Sequence, residues 1–90
     1  MTSYHIRFSN RAQLTDLPKI DASVRGAIAI AIEDKLKTAP EIFGKPPRHA
    51  LRGLRVLRVG DWRVIFHTER NTVAVLAVRH RREGYKNLNV

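Results

Sequence analysis

The sequence predicts an α+β fold in the order β-α-α-β-β-β, a helical hairpin packed on one face of a small antiparallel sheet. Three observations carry this. Residues 51–80 fall into three apolar, β-branched runs separated by the turn pairs Gly60-Asp61 and Arg70-Asn71. Val24, Ile28, Ile32 and Leu36 recur at i, i+4 spacing, which makes a one-sided helix. Residues 3–8 alternate polar and apolar, as a half-buried strand does.

Taken in order, the first strand covers 3–8. Ser9 or Asn10 is placed to cap a short helix over 11–17, which Pro18 stops. Asp21 or Ser23 caps a second helix of about four turns, ending near Thr38 before Pro40. Gly26 inside that helix is unfavourable relative to alanine and suggests close packing. Residues 40–50, PEIFGKPPRHA, hold three of the four prolines and read as an ordered connection. Strands follow near 51–59, 62–69 and 72–80 as an antiparallel meander. Residues 81–90 form a basic, polar tail. Ninety residues hold one domain, 1–90, with no room for a second.

Charge narrows the function. Residues 1–44 carry six Lys/Arg against five Asp/Glu, and residues 45–90 carry eleven against three, so +1 and +8 make the net +9. Almost all the excess lies in the C-terminal half, threaded through the strands. That asymmetry points to a polyanionic partner, a nucleic acid or an acidic protein segment. The chain has no cysteine, which excludes disulfides and thiolate metal sites and suits a reducing cytoplasm. No apolar block marks a signal peptide, and an apolar run such as Ala27 to Ile32 is far too short for a membrane span. The expected location is therefore cytoplasmic, with no membrane partner.

Alternation assigns faces to the strands. Leu57, Val59, Trp62, Val64, Phe66, Leu76 and Val78 form the expected core face. Arg58, Arg63, Arg79 and Arg81 then point to the opposite, open face, where converging guanidinium groups suit phosphate. His80 falls on the core side, and His67 shares a face with Arg63 but lies further along the strand. Trp62 sits among apolar alternates and reads as core, not as a stacking platform. No His/Asp/Glu set has metal-ligand spacing, so a metal-independent site without cofactor is expected.

These residues carry a family resemblance. Leu51-Arg52-Gly53-Leu54, then Leu57-Arg58-Val59-Gly60-Asp61-Trp62-Arg63-Val64-Ile65-Phe66, then His80-Arg81 and Tyr85, resemble the RelE/ParE superfamily of bacterial toxins. The helical hairpin ahead of the sheet agrees, as does GKPP before Leu51. The resemblance spans nearly the whole chain. It implies a toxin of a type II toxin–antitoxin module with one of two activities. RelE-like members cut messenger RNA in the ribosomal A site; ParE-like members inhibit DNA gyrase. An inactive homologue that only binds its antitoxin is a third possibility. The resemblance also implies an acidic cognate antitoxin as partner.

Carried over by position, the catalytic arginines of RelE-like members match Arg58, Arg63 and Arg81, and the catalytic tyrosine matches Tyr85. RelE-like proteins usually place a second cation two residues before the Arg58 position, and here that residue is Val56. Arg55 is adjacent but should face the other way unless a bulge re-aims it. Arg52, Arg55, Arg79, Arg82 and Lys86 are expected to bind RNA through charge more than chemistry. In cleavage by a ribose 2′-hydroxyl, Arg63 and Arg81 would hold the scissile phosphate and Arg58 would assist. Free arginine is too weak a base to take the proton, and Tyr85 or a histidine is the alternative.

Overall fold

The computed structural model describes residues 3–43 and 53–83. The expected tail, Tyr85, Arg52, Lys86 and most of the 40–50 connection lie outside the described residues. Four strands form one sheet: β1 (His5–Phe8), β2 (Arg55–Val59), β3 (Trp62–Glu69) and β4 (Thr72–His80). Their spatial order is β1-β4-β3-β2. The β2–β3 and β3–β4 pairs are antiparallel, joined at the two expected turns. Gly60 and Arg70 take positive φ there, 60° and 55°.

The α+β class and the element order stand, but the sheet is mixed, not wholly antiparallel. β1 joins β4 in parallel, with His5 opposite Thr72 and Phe8 opposite Val75. The cause is the connection. Two helices carry the chain from one sheet edge to the other and back to the same end, so β1 and β2 run in the same direction. The short helix covers Arg11–Asp16 and tightens over Leu17–Lys19 at Pro18. Ser9 does cap it, since its Oγ accepts the Ala12 N–H at 3.1 Å. The long helix runs Ala22–Ala31 and continues, more loosely wound, over Ile32–Leu36. Asp21 caps it by accepting the Ser23 N–H at 3.1 Å. Gly26 is exposed, and a Cβ there would meet nothing within 4 Å, so close packing is not its role.

The main core lies between helices and sheet. Ile28, Ile32 and Leu36 from the long helix meet Leu57, Val64, Phe66, Val73, Val75 and Val78 from the sheet. A second, smaller cluster occupies the other face: Leu54, Val56, Ile65 and Ala77, with Leu76 against it. That face is therefore apolar at its centre and not simply open.

Leu76 was expected in the main core and is not. Ile65 opposes Ala77 while Phe66 opposes Val75, so Leu76 is an extra residue bulged out of the ladder. A bulge shifts alternation by one position. Val73 and Val75 thereby enter the main core, and Leu76 passes to the other side. The short helix fixes this irregularity. Ser9 donates its N–H to the Val75 carbonyl at 2.9 Å and its hydroxyl to the Leu76 carbonyl at 2.7 Å. The Asp16 carboxylate accepts the Val78 N–H at 2.9 Å. Where β1 ends, side chains thus satisfy the edge of β4 in its place.

Candidate functional site

The bulge sets the phase of the last residues of β4, and that phase creates the site. Beyond Leu76, Val78 faces the helices and Arg79 faces away. Arg58 lies opposite Arg63, and Arg63 lies opposite Arg79. Three arginines thus form one row across three strands, on the face away from the helices. Like charges directly opposite each other are unfavourable in a sheet. A row of three suits a bound anion better than a bare fold.

Each arginine is held differently. Arg58 is exposed. Arg63 is half-buried, and its Nη1 donates to the Gly60 and Trp62 carbonyls, each at 3.0 Å. The hairpin turn therefore fixes its guanidinium in place before any ligand arrives. Arg79 was expected as a solvent-facing cation, but it is only 7% exposed and pairs with Glu83 at 3.5 Å. The short helical turn Arg81–Glu83 brings that carboxylate back onto the strand. The His80 backbone N–H and the Arg79 charge hold the Glu83 carboxyl below the usual carboxylate range.

Arg81 stands one step beyond the row, at the same end of the sheet. Its N–H donates to the Asp61 carbonyl at 2.8 Å, and its Nε lies 3.6 Å from the Asp61 carboxylate. Its side chain is 60% exposed. Of the residues singled out for chemistry, the structure brings together Arg58, Arg63 and Arg81. Tyr85 lies outside the described residues.

The remaining assignments divide. Arg55 pairs with Phe66 on the helix-facing side, and its charge acts on Glu41. It is therefore on the wrong face for the arginine row, because the β2–β3 register is regular and the bulge lies in β4. Val56 stays in the second apolar cluster, so no second cation fills the position before Arg58. Arg82 is exposed on the turn. His80 makes an edge-on contact with Trp62, ring centroids 5.2 Å apart, and its Nδ1 accepts the Arg82 N–H. Those contacts give it a structural role. His67 lies four residues from Arg63 along β3, about 13 Å at ~3.3 Å per residue.

Sequence reasoning did not single out Ser9 and Asp16 for the site. Both act through the bulge. Their signal was available only as polar residues at the start and end of a short helix, where capping is the ordinary reading.

Residues 6–85 match the sequence pattern of the ParE toxins of type II toxin–antitoxin systems, parDE. The chain belongs to this family. Solved structures agree with the toxin's fold. The toxin–antitoxin complex RelBE2 from Mycobacterium tuberculosis contains a chain 31% identical to this one, with a TM-score of 0.81 over 90% of this chain and 94% of that chain. A chain of the RelB–RelE antitoxin–toxin complex from Methanococcus jannaschii is 19% identical, with a TM-score of 0.69 over 92% of this chain and 99% of that one. A chain of the E. coli DinJ–YafQ complex is 13% identical, with a TM-score of 0.58 over 92% and 98%. No curated protein matches the toxin's sequence. No helix among the described residues is long and apolar enough to cross a membrane.

Proposed function

We propose that this toxin is an endoribonuclease that cuts messenger RNA on the ribosome and is held inactive by an acidic antitoxin. The supporting observation is the row Arg58–Arg63–Arg79, with Arg81 at its end. In the proposed reaction a ribose 2′-oxygen attacks the adjacent phosphorus. The bond to the 5′-oxygen of the next nucleotide breaks, leaving a 2′,3′-cyclic phosphate and a 5′-hydroxyl. The 2′-hydroxyl proton leaves to a base, and the departing oxygen gains one. Charge accumulates on the phosphorane oxygens, which Arg63 and Arg81 contact while Arg58 assists. Preorganised donors of this kind are often the largest catalytic contribution. The family resemblance gives Tyr85 the part of orienting the ribose or taking its proton. Relatives in complex with antitoxins, and the net charge of +9, support an acidic antitoxin segment as the inhibitor.

Arg63→Ala and Arg81→Ala are each expected to lower cleavage about 10²–10³-fold, the usual effect of removing one such donor. Mapping RNA 5′ ends after induction, with and without ribosomes, measures this. Wild-type toxin that leaves translated messenger RNA intact refutes the proposal.

Gyrase inhibition is the second reading. Val56 favours it, because an apolar residue stands where a ribonuclease of this type usually has a cation. A supercoiling assay with purified gyrase decides: unchanged supercoiling at toxin excess removes this reading.

A further inference from the structure

A second polar depression lies at the other end of the same sheet face. It is a cavity of about 290 Å³ whose walls come from β1, β3, β4 and the β3–β4 turn. Arg7 and His67 stand on either side of Ala74, in one cross-strand row. Ala74 is the smallest side chain possible short of glycine, so the row has a notch between two basic groups. Arg70 and Thr72 close one end, and Glu69 contributes the acidic group.

Arg70 is an independent pointer. It is the sole described non-glycine residue with positive φ, 55°. Asparagine or glycine would take that conformation more readily. The arginine at this position places a cation at the cavity mouth.

We propose that this cavity binds one nucleotide of single-stranded RNA, as a subsite remote from the arginine row. The inference rests on the ribonuclease reading above. Arg7, Arg70 and His67 take the phosphate. Glu69 accepts from a ribose hydroxyl or a base amino group, and Thr72 supplies a hydroxyl. Glu69 favours a nucleotide over an acidic peptide, because sugar hydroxyls and base amino groups donate to it, whereas Asp and Glu side chains carry no donor. The separation also fits. His67 and Arg63 are about 13 Å apart along β3, roughly four stacked nucleotides at ~3.4 Å each. One strand can therefore occupy both ends of the face.

The test is fluorescence anisotropy of purified toxin with a labelled eight-nucleotide RNA, its DNA counterpart and AMP, across a salt series. The variants are Arg7→Ala with Arg70→Asn, and Glu69→Gln. Asparagine keeps the left-handed turn while removing the charge, and circular dichroism checks the fold. The double variant is expected to bind the RNA about tenfold or more weakly, with a salt slope lower by about one to two. Glu69→Gln is expected to reduce the preference for RNA over DNA. Affinity and slope equal to wild type in the double variant overturn the subsite and leave the arginine row standing. A wild type that binds no RNA also overturns the subsite, whereas the ribonuclease reading falls only if translated messenger RNA stays intact. Saturation by AMP at micromolar concentration, with no added affinity from the longer strand, assigns the cavity to a free nucleotide and overturns the polynucleotide subsite. Displacement of RNA by a poly-glutamate peptide from wild type but not from the double variant assigns it to an acidic segment and overturns it too.

Discussion

Arg58, Arg63 and Arg79 repel one another across three strands, and the fold compensates locally. Glu83 pairs with Arg79, and two carbonyls at the hairpin turn hold Arg63. Arg58, exposed at the edge strand, has the weakest anchorage among the three. Arg58→Gln is expected to raise unfolding stability by about 0.2–1 kcal/mol while reducing toxicity, since it removes one like-charge contact. Urea midpoints measured beside growth arrest check both directions. Glu83 gives a pH dependence. Its carboxyl is held low when folded, so its stabilising contribution is complete above the ordinary carboxylate pKa and is lost as pH falls through the depressed value. The stability gap between wild type and Glu83→Gln should therefore shrink on acidification below that range; a gap constant with pH contradicts it. At this scale Arg58 and Arg63 were legible from alternation alone. The burial of Arg79 was not, because it depends on a helical turn that returns Glu83 to the strand.

The long helix and β4 show what patterning reveals about elements and what it hides. The helix stripe was plain because its apolar residues sit among polar ones. In β4 the run Val73-Ala74-Val75-Leu76-Ala77-Val78 is apolar throughout. Both of its faces are buried, so polarity carries no phase and the bulge at Leu76 leaves no mark in the sequence. The direction of β1 was equally hidden, since alternation says which face is buried and nothing about the neighbouring strand. The bulge is instead specified by distant side chains. Asp16→Ala should cost about 1–3 kcal/mol, because the Val78 N–H loses its acceptor. It should also lower activity beyond what the stability loss explains, as the phase that aligns Arg79 with Arg63 loosens. Chemical denaturation alongside cleavage at a temperature where the variant is folded separates the two effects. Gly26→Ala should act oppositely, adding about 0.8–1 kcal/mol in an exposed helix interior with room for a methyl group. A lower thermal midpoint for that variant would contradict the open environment described.

At the scale of the molecule, the sheet divides into two ends. The arginine row and Arg81 occupy one, the Arg7–His67 notch the other, and an apolar cluster lies between them. The α+β class was readable from the order and periodicity of the elements. How the pieces close was not, because closure depends on the parallel pairing of β1 with β4. That pairing has a consequence for timing. A chain emerges from the ribosome at about 5–20 residues per second, amino terminus first. β1 is made early but has no partner until Thr72–His80 has followed, and Arg79 and Arg81 arrive only with that same segment. A half-made chain has neither a closed sheet nor a complete set of cations. Closure of the sheet and completion of the arginine row therefore come in one step, when β4 takes its place between β1 and β3.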